Sequence, residues 1–179
     1  MAQLLLISGS LRRGSLNRML LQEAARLWQG EAIWGDIEMP LYNGDVEGKT
    51  GMPEAAAALS AQIGAADAVL IATPEYNQSF PGGLKNALDW VSRGSEKPWS
   101  DKPVAIVSAA AGRAGGARAQ YALRLALNPF QPRLQTGPEV MVAGASKEFD
   151  DQGHLTNDRY RATLQKLLEK LAREAALTA

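Results

Sequence analysis

Short apolar runs alternate along this chain with stretches in which apolar residues recur every three or four positions. Leu4-Leu5-Leu6-Ile7 ends at Ser8-Gly9-Ser10 and predicts a buried parallel strand. Leu16, Met19, Leu20, Ala24 and Leu27 then predict an amphipathic helix over 15–28. Ala32-Ile33-Trp34 is a weaker strand, and residues 36–53, with three glycines and two prolines, read as surface loop. A second helix starts after Pro53 and runs to Ala66, with Leu59 and Ile63 inward. Ala68-Val69-Leu70-Ile71-Ala72 is the strongest strand signal. Pro81 suits a helix start, and Leu84, Ala87, Leu88 and Val91 form the stripe of the helix that follows. Val104–Val107 predicts a fourth strand. Residues 116–127 predict a helix with Ala117, Tyr121 and Leu125 in register, and Glu139–Val142 a fifth strand. A final helix has Tyr160, Leu164, Leu167, Leu168 and Leu171 on one face and charged residues on the other. Strand then helix, five times over, predicts an α/β fold: a five-stranded parallel sheet of order 2-1-3-4-5 in a three-layer sandwich. In that order a ligand sits where the strand sequence reverses, on the loops after strands 1, 3 and 4, here residues 8–17, 73–80 and 108–116.

The 179 residues fit one domain spanning 1–179 and suffice for a core without disulfides. Nineteen basic and nineteen acidic side chains balance, which argues against a nucleic-acid binder and against an acidic carrier that docks on basic partners. No cysteine is present, which excludes thiolate catalysis and zinc–thiolate sites. The apolar run near the start is short and has no basic residues ahead of it, so neither signal peptide nor membrane insertion is expected, and a cytoplasmic protein is. His154 is the lone histidine and follows Gly153 in a polar stretch; no nucleophile elbow accompanies it, and it reads as a solvated loop residue. No catalytic side chain and no metal site are expected.

The loop after strand 1, Ser10-Leu11-Arg12-Arg13-Gly14-Ser15-Leu16-Asn17, is rich in hydroxyls, carries two cations and opens a helix. A helix start presents unpaired N–H groups and a partial positive charge, so it attracts anions. Ser15 as a simple helix cap is the structural alternative. Gly9 and Gly14 have Walker A spacing, but Ser15-Leu16 stands where Lys-Ser/Thr is required, and the later Gly48-Lys49-Thr50 lacks its upstream glycine. The loop after strand 3 runs Thr73-Pro74-Glu75-Tyr76-Asn77-Gln78-Ser79-Phe80-Pro81. Its prolines stiffen it, and its aromatic and amide groups suit the face and edge of a flat heteroaromatic ring. A rigid turn with Tyr76 against the core is the alternative.

Taken together, Gly9-Ser10-Leu11-Arg12-x-x-Ser15-x-Asn17 and Thr73-Pro74-Glu75-Tyr76-Asn77-x-Ser79-x-Pro81-Gly82-x-Leu84-Lys85-Asn86-Ala87-x-Asp89-Trp90 closely resemble the NAD(P)H-dependent FMN reductases, bacterial quinone and chromate reductases among them. The resemblance covers nearly the whole chain and implies a flavodoxin-like fold. It implies that Ser10, Arg12, Ser15 and Asn17, within the loop that also holds Leu11, Arg13 and Gly14, bind the FMN phosphate, with Leu16 adding its backbone. It further implies that Pro74, Glu75, Tyr76 and Asn77 lie along the isoalloxazine and ribityl region, and that Ser108, Ala109 and Gly112 close the other ring edge. Relatives often carry a hydroxyl at the position of Ala109, which leaves only backbone there. The implied chemistry is hydride transfer from NAD(P)H to the flavin, followed in the same place by a small-molecule acceptor: a quinone, chromate, a ferric complex, an azo compound or free flavin. Homodimers or homotetramers are implied, with Asp89-Trp90 or Ser92-Arg93 at the partner face, or Trp90 in the core. Two other readings are a flavodoxin-type electron carrier and a flavin-based redox sensor.

Overall fold

The computed structural model describes residues 2–177. Three strands need no polar face because helices cover both of theirs: β1 (Gln3–Ser8), β3 (Ala68–Ala72) and β4 (Pro103–Ala109) are buried along almost their whole length. They form the centre of a parallel sheet of order β2-β1-β3-β4-β5, with β2 (Glu31–Gly35) at one edge. Alternate residues point to opposite faces. Leu4 and Leu6 pack with α1 (Leu16–Leu27) and α6 (Asp158–Ala176), whereas Leu5 and Ile7 pack under α3 (Glu54–Ala65) and α4 (Gly82–Val91). α5 (Ala117–Leu127) shares that second side through Leu123 and Leu127. The three layers and the strand order are those expected of a flavodoxin-like α/β fold.

Three local expectations are corrected. The fifth strand position is split: β5 (Arg133–Leu134) pairs with Pro103 and Val104, and β6 (Val140–Val142) pairs further along β4 with Val107, Ser108 and Ala109. Pro138 lies in the segment between the two pieces and interrupts the ladder there, since proline supplies no N–H. In α5 the inward face is Ala119, Gln120, Leu123 and Leu127; Tyr121 and Leu125 are 55% and 71% exposed. The segment read wholly as loop contains a seven-residue helix, α2 (Gly44–Thr50), with no buried residue and therefore no apolar period to reveal it. Asn43 caps it by accepting from the Asp45 N–H at 2.9 Å.

The arm that leads into α2 is pinned to α4. Asn86 accepts from the Tyr42 N–H at 2.8 Å and donates to the Pro40 carbonyl at 2.9 Å, and the Trp90 indole donates to the same carbonyl at 2.7 Å. Trp90 is fully buried and so belongs to the core, not to a partner face. Tyr42 meets it edge-on at 5.0 Å and donates to Glu47 at 3.0 Å, a bond that raises the phenol's pKa. α1 is tied to α6 by Glu23, a carboxylate 2% exposed that accepts from Arg26 at 2.6 Å and from Arg161 at 2.9 Å.

Candidate cofactor site

The C-terminal ends of β1, β3 and β4 release three loops side by side. Gly9 makes the first close approach: its N–H donates to Ala72 at 2.8 Å, and a Cβ there would meet Ala72, Leu84 and Pro74 at 3.2–3.3 Å. The chain then rises through residues 10–14 and enters α1. Ser15 caps the helix, its hydroxyl accepting from the Arg18 N–H at 3.4 Å. The first-turn N–H groups of Leu16 and Asn17 have no carbonyl within the helix to bond. Ser10 is buried and accepts from the Arg12 N–H at 3.4 Å. Among the described residues neither Arg12 nor Arg13 has a carboxylate partner.

The second loop is a tight two-residue turn. Tyr76 and Ser79 exchange backbone hydrogen bonds at 2.9 and 3.1 Å around Asn77 and Gln78, both with positive φ (49° and 66°). That turn holds Tyr76 47% exposed with its phenol 3.5 Å from the Ser10 hydroxyl. Glu75 reaches the other way. It accepts from the Arg118 N–H at 3.1 Å and faces the Arg118 guanidinium at 3.6 Å. Gly116 caps α5 without a side chain, so Glu75 supplies the acidic group that this helix start lacks.

Between these loops and the third lies a cleft of about 440 Å³, within the ~300–1,000 Å³ of small-molecule sites. Of the expected residues it brings together Ser10, Arg12, Gly14, Ser15, Leu16, Asn17, Pro74, Glu75, Tyr76 and Ala109, and adds Ala110 and Ala111. Volume alone does not single it out. Hollows of about 420 Å³ beside Trp99 and 350 Å³ at the opposite end of the sheet, between Trp28 and Arg173, are comparable. The cleft differs in its donors: a helix start, two hydroxyls and a cation without a carboxylate partner, all on one wall, facing an exposed aromatic ring.

Five expected residues lie outside that lining. Leu11 turns to the far side of its loop, into a smaller hollow where the Arg18 guanidinium covers the Trp34 ring at 4.7 Å. Arg13 and Gly112 are exposed beyond the rim, and Asn77 forms the corner of its turn. Ser108 is fully buried. Its hydroxyl donates to the Gly115 carbonyl at 2.5 Å and accepts from the Gln120 side chain at 2.8 Å. Its side chain therefore shapes the loop from beneath rather than lining the cleft. Gln120 was missed in the sequence because it is a polar residue on a buried helix face; the signal was the spacing of Ala119, Leu123 and Leu127 around it. A tight turn at Gly115-Gly116 closes the third loop: both have positive φ, and side chains there would strike Met141 and Ser108.

Residues 2–147 match the family model of the NADPH-dependent FMN reductases. The chain is 51% identical over 168 residues to an NAD(P)H-dependent FMN reductase of Pseudomonas aeruginosa, covering 92% of this chain and 90% of that one. It is 40% identical to a quinone reductase of Escherichia coli over 84% of this chain and 82% of the relative. In structure it matches the flavoenzyme FerB, an NAD(P)H:(acceptor) oxidoreductase of Paracoccus denitrificans, with a TM-score of 0.88, 30% identity and 98% coverage of both chains. Fold, cleft and these likenesses agree: the chain belongs to the NADPH-dependent FMN reductase family of flavodoxin-like oxidoreductases.

Proposed function

We propose that this single domain is an FMN-dependent oxidoreductase that takes electrons from NAD(P)H and reduces quinones or similar small acceptors. The observation that carries the reading is the one-sided donor set at the start of α1 opposite the exposed Tyr76. A phosphorylated, flat, heteroaromatic group has this polarity: an anion at one end and a π-face at the other. When bound, the flavin supplies the redox chemistry, taking two electrons from the nicotinamide and passing them to an acceptor that uses the same place in turn.

The chain's own groups bind, orient and exclude. Ser10, Ser15 and Arg12 hold the phosphate, together with the backbone N–H groups of Leu16 and Asn17, and no lysine is needed because the helix start supplies the field. Tyr76 forms one wall through a turn that ordering on binding need not build, and the Ala109–Ala111 loop forms the other. Its three methyl groups leave the ring edge facing backbone. No side chain in the cleft has to move a proton. NAD(P)H points to a cytoplasmic setting.

Leu41, on the arm pinned to α4, and Val46, in α2 beyond it, are 82% and 45% exposed. A second copy of the chain is the proposed cover for them, as homodimer or homotetramer. Purified protein should be yellow, release FMN on denaturation, oxidise NAD(P)H without any protein partner and give parallel lines when donor and quinone are varied. A colourless protein that cannot be reconstituted with FMN would overturn the reading. A yellow one inert toward NAD(P)H would make it a carrier or sensor instead.

A further inference from the structure

The loop between β4 and α5 has few side chains with which to hold itself. Residues 109–112 are Ala-Ala-Ala-Gly, and two more glycines close the loop at 115 and 116. Its shape is imposed from outside. On one flank the Ala110 N–H donates to Val142 and the Ala145 N–H to Ala110, both at 3.0 Å. On the other flank the sheet has run out. The Val107 carbonyl faces β3, for it accepts from the Thr73 N–H at 3.0 Å. Along a strand, every second residue turns its backbone groups to the same side. Ala109 therefore presents its N–H and carbonyl where β3 has already ended, at Ala72. Buried backbone groups are seldom left unpaired.

Asn17 fills that gap. Its Nδ2 donates to the Ala109 carbonyl and its Oδ1 accepts from the Ala109 N–H, each at 2.9 Å. The side chain is buried with the residue only 2% exposed, and the two partners stand 92 positions apart in sequence. The carboxamide alone supplies the acceptor and the donor that a continued β3 would have offered from two successive peptide groups. Asn17 is also the second residue of α1, immediately beyond Leu16. One side chain thus joins the helix start on the phosphate wall to the loop on the opposite wall.

We propose that Asn17 is a positioning residue: through Ala109 it sets the Ala109–Ala111 wall against the start of α1, and so acts on the seat of the flavin ring rather than on the phosphate. This rests on FMN being the cofactor. The test compares Asn17→Ala with Arg12→Ala, using FMN and riboflavin, which lacks the phosphate. Dissociation constants are measured for both flavins, and the visible spectrum and midpoint potential are recorded at saturation.

Asn17→Ala should weaken FMN and riboflavin by the same factor, about tenfold, and should shift the spectrum and potential of the saturated protein. Arg12→Ala should weaken FMN alone. Loss of FMN affinity with riboflavin unchanged in Asn17→Ala would make Asn17 a phosphate ligand and overturn the proposal. A spectrum and potential identical to wild type at saturation would also overturn it, leaving a purely structural brace. Should the alanine variant not fold, Asn17→Ser carries the same readouts. A wild-type protein that binds neither flavin would overturn the cofactor reading itself, an outcome distinct from failure of the brace.

Discussion

Replacing Gly116 by alanine tests how the third loop is built. Gly116 has φ +91° and ψ 20°, and a Cβ there would stand 2.8 Å from both Cβ and Oγ of Ser108. The left-handed backbone alone costs an alanine about 1–2 kcal/mol. Ser108 cannot step aside, because it lies within β4, fully buried, with its hydroxyl committed to Gly115 and Gln120. Pushing that hydroxyl away breaks bonds where no water replaces them, at about 1–3 kcal/mol for each group left unsatisfied. With one group stranded, Gly116→Ala should therefore destabilise the fold by about 2–5 kcal/mol in urea unfolding. In a Ser108→Gly background both offending atoms are gone, and the same substitution should cost only the conformational part, about 1–2 kcal/mol. The difference is a coupling energy between two residues in contact. Equal costs in the two backgrounds would refute the steric reasoning and leave backbone strain as the whole effect.

Arg12→Ala should weaken FMN binding roughly tenfold to over a hundredfold, through loss of a charge-assisted bond of about 1.5–3 kcal/mol; unchanged affinity in a fluorescence titration would remove Arg12 from the phosphate site. At Glu23 the order of severity is the test. The acid is 2% exposed while its partners Arg26 and Arg161 are 38% and 53% exposed. Glu23→Gln frees two arginines that can rehydrate, so about 1–2 kcal/mol is expected, whereas Arg26→Ala with Arg161→Ala strands a buried carboxylate and should cost about 3–5 kcal/mol; the reverse order in urea unfolding would contradict this. The Asp150 carboxyl is held below its ordinary pKa, chiefly by the His154 backbone N–H, with the His154 ring and the Gln152 N–H assisting. A depressed acid stabilises the fold above its unfolded pKa, near ~3.9, and loses that contribution as pH falls through the lower folded value. Asp150→Asn should accordingly flatten the acid limb of the stability–pH profile below about pH 4 and leave its neutral region unsloped by this group; an unchanged acid limb would contradict the assignment.

Much of the scaffold was legible in the sequence because burial on both faces leaves a plain mark. Leu4 to Ile7 and Ala68 to Ala72 are continuous apolar runs, and runs this short, closed by Ser8-Gly9 and by Thr73-Pro74, mark strands covered on both faces. The edges were harder. β5 has two residues, and β6 three, so no period can form in either. α5 carried two apolar rows, one through Tyr121 and Leu125 and one through Ala119, Leu123 and Leu127, and the buried row was the less obvious because it includes Gln120. That glutamine is inside because the sheet needs it there: its Nε2 donates to the Ser108 hydroxyl at 2.8 Å and to the Val140 carbonyl at 2.9 Å, next to the split between β5 and β6.

The same cause limits what residue types reveal at the cleft. Ser10, Arg12 and Ser15 face it as their chemistry suggests. Asn17 and Ser108 carry equally suitable groups, yet spend them on Ala109, Gly115 and Gln120. Which way a polar side chain turns is decided by where the backbone has run short of partners, and that is a property of strand lengths, not of the residue. β3 ends two residues before β4 does in their shared register, since Ala72 pairs with Val107 and β4 continues to Ala109. That offset creates the demand that Asn17 meets. A chain of this fold in which β3 ran on past Ala72 would pair Ala109 through its own backbone, and the asparagine would be free to serve the ligand.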